Sequence, residues 1–423
     1  MKHTLLSLAI VTLLTACGGG SSSDGQSTNN NGNPNTPTTP STTNKIGILT
    51  DAVISGVHYV SKNSQGVVSY EGTTGDASST NGKGSFKYNE GDKVTFSIGD
   101  IVLGSVTAQA KISPLELATD PVIRNNLIIL LQSLDADQNH SNGIEISTKT
   151  VEALKDKTIV LNTPTASFIA DATFLQAVKA SGTAVVPSET ALANFIDSFA
   201  KDNEGVWSYS NNGTRVLLYI KGAVETVNKD KYLHFIFAQV GPADNDGQSG
   251  FEQGKFKWDP LTGKLTVVSP LTQDTNGGWG LSDSSQPFSL LYGKTEGTLQ
   301  LLTEDPTPVV LTKLPSESNS IVGAWKNADA LVAMYNDKTY LYVGLSNEDC
   351  GGPGIEYGTY SASNGILKAE SVQYDTTGCL GLVDTWGDLS QHKYDLDTFK
   401  YSLNDKTINI QYEDEPVSTL SRL

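Results

Sequence analysis

Three sets of residues in this 423-residue chain combine type and spacing in a way that could do chemistry. The first is Leu134-Asp-Ala-Asp-Gln-Asn-His-Ser-Asn-Gly-Ile-Glu145, in which Asp135, Asp137, Asn139 and Glu145 offer hard oxygen ligands as a calcium loop would. Gly143 and Ile144 come later than in an EF-hand and no second acid stands at its usual place, so a side-chain-capped turn is the alternative. The second is a ten-residue stretch that occurs twice, Asp274-Thr-Asn-Gly-Gly-Trp-Gly-Leu-Ser-Asp283 and Asp375-Thr-Thr-Gly-Cys-Leu-Gly-Leu-Val-Asp384. Its acids could bind a cation or a sugar hydroxyl. Equally, Asp and Thr could cap a hairpin whose glycines take positive φ, and duplicating a fold duplicates its turns, so the structural reading leads. Trp279 stands where the second copy has Leu380, and a Trp exposed on a turn is a candidate contact for a ligand. The third set is Glu252 and Glu356, one in each copy of a Gly-x-Glu-x-Gly run, which is not an acid pair within one site.

Catalysis requires more than this. A nucleophile with its base and orienting group, a metal site or a carboxylate pair in a cleft is needed. His58, His140, His234 and His392 fall in four separate segments without metal-ligand spacing, and neither a Gly-x-Ser-x-Gly elbow nor a phosphate-binding glycine loop occurs. The expectation is a protein that is not an enzyme and requires no cofactor, with calcium as the one metal the sequence suggests.

A formal net charge of -17 argues against nucleic acid, because no cationic surface would be left to displace phosphate counterions. At the N-terminus a short polar start, Lys2-His3, precedes the apolar run Leu5 to Leu14, too short to span a bilayer, and then Leu14-Thr-Ala-Cys17. This resembles a bacterial lipoprotein signal with its lipobox. The resemblance implies removal of residues 1–16, lipidation of Cys17 and anchoring by several acyl chains, which hold far more firmly than one. Gly18, rather than Asp, after the Cys is similar to outer-membrane lipoproteins, so the implied address is the outer membrane, lipid-anchored, at its periplasmic face or the cell surface. With Cys17 assigned to the anchor, Cys350 and Cys379 remain, an even pair in an oxidising compartment. A disulfide is expected of them, a two-Cys metal site being the weaker alternative. Residues 17–44, rich in Gly, Ser, Asn, Thr and Pro, read as a flexible tether.

The elements that must position these residues are mostly short strands. Phe86, Tyr88, Val94, Phe96 and Ile98 alternate around Asn-Gly and Glu-Gly-Asp turns. The run Gly-x-Phe-x-Tyr-x-x-Gly-Asp-x-Val-x-Phe resembles the small β-sandwich modules that open many proteobacterial surface lipoproteins. Helical spacing follows in the 120s, with Asp120 as N-cap and Pro121 in the first turn. Three more helices are expected around 148–156, 165–181 and 187–200, giving a β-sandwich with appended helices over 45–203.

The remainder is tandem. Gly205-Val-Trp207 answers Gly323-Ala-Trp325, Tyr232-Leu233 answers Tyr340-Leu341, Gly250 to Phe256 answers Gly354 to Tyr360, and Leu311-Thr-Lys-Leu314 answers Leu420-Ser-Arg-Leu423. Two units, 204–316 and 320–423, are expected. Antiparallel strands in units this short must sandwich or close on themselves. Gly-x-Trp in the first strand with a basic residue in the last resembles the calycin (lipocalin and avidin-like) barrel, in which Trp plugs one end beneath a cation. The resemblance implies mainly β architecture with two eight-stranded barrels closed by Trp207 with Lys313 and Trp325 with Arg422. The expected function is a non-enzymatic envelope binding or adhesion module whose partner is an extracellular or envelope protein, a glycan or a small ligand. The alternative is a calycin-type carrier holding haem or a lipid in one barrel.

Overall fold

A computed structural model describes residues 44–241, 249–305, 307–385 and 395–423. The expected signal, Cys17 and all but the last residue of the expected tether therefore lie outside the described residues, as does His392. The chain is mainly β, with two closed antiparallel eight-stranded barrels, a few helices and N-terminal sheets.

Two larger sheets, beside a two-stranded pair of Ile54–Ser55 with Ile144–Glu145, form the N-terminal part. One has four strands: Val68–Thr73, His58–Lys62, Lys93–Ile98 and Ile101–Thr107; the other has three: Ser85–Tyr88, Lys45–Leu49 and Lys111–Ile112. Alternation in the sequence places Tyr59 and Phe96 of the first against Phe86 of the second, with Phe86 and Phe96 edge to face at 5.2 Å. Asp92 of the Gly-Asp turn is buried because its Oδ2 accepts from Ser61 Oγ and the Asn89 amide at 2.9 Å each.

Helix Pro121–Ser133 begins on Asp120, whose carboxylate accepts from the Val122 and Ile123 amides. The stretch expected as one helix over 165–181 is two, Thr165–Phe168 and Ala172–Ser181, because Asp171 caps a new start through the Phe174 amide. Helix Ser188–Asp202 then leads directly into the first barrel, and its core is continuous with that barrel's.

Barrel 1 consists of β1 (Gly205–Asn211), β2 (Thr214–Ile220), β3 (Asp230–Val240), β4 (Gly250–Trp258), β5 (Lys264–Val267), β6 (Phe288–Tyr292), β7 (Thr298–Leu302) and β8 (Val309–Lys313), closed by β8 on β1. Barrel 2 repeats this as β9 (Gly323–Lys326), β10 (Ala330–Met334), β11 (Thr339–Gly344), β12 (Gly354–Ser363), β13 (Ile366–Asp375), β14 (Thr398–Leu403), β15 (Thr407–Tyr412) and β16 (Ser418–Arg422), closed by β16 on β9. Registers correct one sequence equivalence. Glu252 pairs with Phe237 and Glu356 with Tyr342, so Tyr340 corresponds to Phe235 rather than to Tyr232.

Both barrels are filled. Phe235, Phe256, Trp258, Leu290, Tyr292 and Leu299 pack the first, and Met334, Tyr340, Tyr360, Leu367, Phe399 and Ile408 the second. They pack together through the same face, formed by their first four strands. Val206, Leu217, Ile236 and Phe251 of one meet Ala324, Leu331, Leu341 and Ile355 of the other. Arg215 binds Asp337 across the seam at 2.6 Å and lies 3.8 Å from the centre of the Tyr335 ring.

Candidate functional site at the barrel ends

Each barrel has two different ends, and the chemically capable residues sit at them. At one end, Trp207 and Trp325 project from the start of the first strand. Each indole Nε1 donates to the carbonyl four residues earlier, Asn203 at 2.9 Å and Ile321 at 2.8 Å. Strand register sets Lys313 beside Trp207 and Arg422 beside Trp325. Lys313 Nζ lies 5.4 Å from its ring centre, whereas the Arg422 guanidinium lies 4.0 Å from its own. The planar guanidinium stacks more closely and donates further to the Ser320 carbonyl at 2.6 Å.

At the opposite end, the connection from the fifth strand to the sixth folds back over the opening. Cap 1 spans 268–287, and the described residues of cap 2 are 376–385 and 395–397; the repeated ten-residue stretch lies within the first cap and supplies nearly all of 376–385 in the second. The stretch is built around Glu252 or Glu356, both fully buried. In barrel 1 the Ser282 amide donates to Glu252 Oε2 at 3.1 Å and Ser282 Oγ to Oε1 at 2.5 Å. In barrel 2 the Leu382 and Val383 amides donate to Glu356 at 3.0 and 3.2 Å, and Tyr340 OH donates at 2.5 Å. Thr275 and Thr376 repeat one role: each hydroxyl accepts from the amide just before the glutamate, Phe251 at 2.9 Å and Ile355 at 3.0 Å. Asp274 and Asp375 accept from amides of their own turns. Asp283 likewise accepts from the Ser285 amide and Asp375 also from Thr385 Oγ1, whereas Asp384 Oδ1 is buried without a hydrogen-bond partner among the described residues.

The second glycine of the repeat is required by this carboxylate. Gly280 (φ +143°) and Gly381 (φ +108°) lie against it, and a Cβ would come within 3.0 Å of the Glu252 carboxylate and 2.3 Å of Glu356 Oε2. Burial pushes the Glu356 carboxyl up to about 8, against the opposing pull of its hydrogen bonds, and Asp375 adds to the rise. Burial also raises Glu252, again opposed by Ser282 and reinforced by Asp274. In the sequence these two acids recur, one per unit, but their spacing alone gives them no role. The signal was their co-occurrence with the repeated turn, visible only once the fourth strand and the cap were in contact.

The caps differ. Cys379 of cap 2 is bonded to Cys350 in the β11–β12 connection, with Cα atoms 5.6 Å apart. Cap 1 has no such bond and instead presents Trp279, 41% exposed. A small cleft of about 220 Å³ lies beside cap 2, lined by Cys379, Gly381, Asp384, Asp397, Phe399 and Tyr412.

Elsewhere the expected calcium loop forms a hydrogen-bonded turn. Asp135 Oδ1 accepts from the Glu145 amide, Asp137 from the Asn139 amide and from Asn142 Nδ2, and Asn139 from Ser141 Oγ. Asp135 Oδ2 is buried without a partner, and burial pushes that carboxyl up towards the neutral form. Glu145 is exposed, and among the described residues no group of three or more His, Cys, Asp and Glu side chains is placed to hold a metal ion. His58, His140 and His234 are separated as well, each paired with a different carboxylate: Glu71, Asp51 and Glu225. No protein-family model matches the chain, and no curated protein matches it in sequence.

Proposed function

We propose that this protein is an outer-membrane-anchored lipoprotein whose folded part is a non-enzymatic binding or adhesion module of the cell envelope. The observation that carries the reading is the filling of both barrels. Aromatic and aliphatic side chains occupy the space a carrier would keep for haem or a lipid, and Trp–cation pairs and caps close the two ends. Contacts with a partner then fall to the outer surface, where Trp279 stands on cap 1 as an amphipathic anchor for a glycan or a protein. The charge of -17 keeps nucleic acid outside the range of partners.

Protease shaving of intact cells, with mass spectrometry of the released peptides, tests the reading. Peptides from 205–423 are expected in the supernatant. Their complete protection, alongside release from a known surface protein, would defeat the surface-adhesin account.

A further inference from the structure

We propose that cap 1 is a proton-operated strap, held shut over barrel 1 while Glu252 is neutral and released when that carboxylate becomes charged, and that cap 2 is the same device locked by Cys350–Cys379. The inference concerns the state of the barrel end and does not depend on what the module binds.

The geometry of the two carboxylates supports it. Glu252 is fully buried, and Ser282, on the cap, reaches both of its oxygens. One contact is a hydroxyl, which can reverse: when Glu252 carries a proton on Oε1, that proton can be donated to Ser282 Oγ while Oε2 still accepts from the Ser282 amide. The neutral acid therefore fits the closed cap while keeping both contacts with Ser282, and among the described residues no cation pairs with the charged form to offset its lost hydration. The charged group acting on Glu252 is Asp274, on the short strand Gln273–Asp274 paired with β4, and it repels the charge. From β3 the facing residue is Phe237, which cannot titrate. Opening the cap would hydrate the carboxylate and separate it from Ser282. Because burial raises the acid in the closed state, closure is favoured below its ordinary carboxyl range and weakens as pH climbs through the raised value.

Barrel 2 supplies an internal control. Glu356 faces Tyr340 and Tyr342 from β11, Asp375 from β13 and the Leu382 and Val383 amides from its cap. The same electrostatic push applies, but the Cys350–Cys379 bond ties that cap to the β11–β12 connection.

Peptide-resolved hydrogen exchange on the whole folded protein, from about pH 5 to about pH 9 with a fully exchanged control at each pH, tests the device across the range a raised carboxyl would span. Protection of residues 274–285 is expected to fall severalfold from the acid to the alkaline end of that range, while 375–385 stays protected. Glu252→Gln should remove the fall. Asp274→Asn, which keeps an acceptor but loses the like charge, should move the fall to lower pH and serves if the Gln variant does not fold. After reduction, 375–385 should acquire the same pH dependence. Protection of cap 1 that does not change with pH, or an unshifted fall in the Asn variant, would overturn the proposal.

Discussion

The two barrels share a strand plan, a Trp–cation end and a cap built on a buried glutamate, yet they are held shut by different means. Barrel 1 leans on its neighbours. Trp258 at the end of β4 stacks on Phe199 of helix Ser188–Asp202 with ring centres 3.7 Å apart, and Lys231 binds Asp197 of the same helix at 2.7 Å. Counting from the shared glutamates, barrel 2 has Ala362 at the position of Trp258, and its described residues include no helix to receive a larger ring. Barrel 2 instead uses a covalent staple in its cap and a close Arg422–Trp325 stack. Duplication thus preserved what closes a sheet on itself and left free what ties each copy to its surroundings.

Cutting each barrel's particular support should break the symmetry most. Trp258→Ala removes a large buried ring and should cost about 3–5 kcal/mol, with helix Ser188–Asp202 losing amide protection first. Replacing Cys350 and Cys379 by Ser should cost about 3–4 kcal/mol in the loop-entropy account, with the loss confined to barrel 2 in hydrogen exchange. Glycine variants sharpen the shared part. Gly381→Ala should cost about 2–3 kcal/mol and Gly280→Ala about 1–2, because both strain a positive φ but only the former drives a Cβ into the carboxylate. Denaturant midpoints decide the order.

A pH series separates the polar cores. The Glu356 carboxyl is raised from 4.5 to about 8 in the folded state. Its contribution is therefore fully present below pH 4.5 and is lost as pH rises through about 8. Barrel 2 should unfold more readily on the alkaline side, and a midpoint that is flat up to pH 9 would contradict the assignment. The smallest contrast lies at the Trp ends, where Arg422→Ala should cost about 1 kcal/mol and Lys313→Ala about 0.5, as expected for a close guanidinium against a distant ammonium.

Much of this architecture was legible because duplication writes itself twice. Gly-x-Trp, Gly-x-Glu-x-Gly and the Asp-Thr-x-Gly turn mark the first strand, the fourth strand and the cap, and two barrels follow from their order. The purpose of the turn was not legible. Its acids resembled a site, but the residue that organises it is Glu252 or Glu356, about twenty positions upstream and joined to it only by folding. The expected helix over 165–181 divides for a local reason: Asp171 caps a new start instead of continuing the first turn. The Asp135 loop shows the same ambiguity, because the oxygens that would suit an ion also satisfy amides, and only the closed turn tells the two apart.

The central claim is that the barrels are filled supports and not containers. Native mass spectrometry of the protein purified from envelopes tests it most directly. The account predicts the mass of the polypeptide with its N-terminal modification and nothing more. A stoichiometric apolar ligand that departs only on unfolding would contradict it.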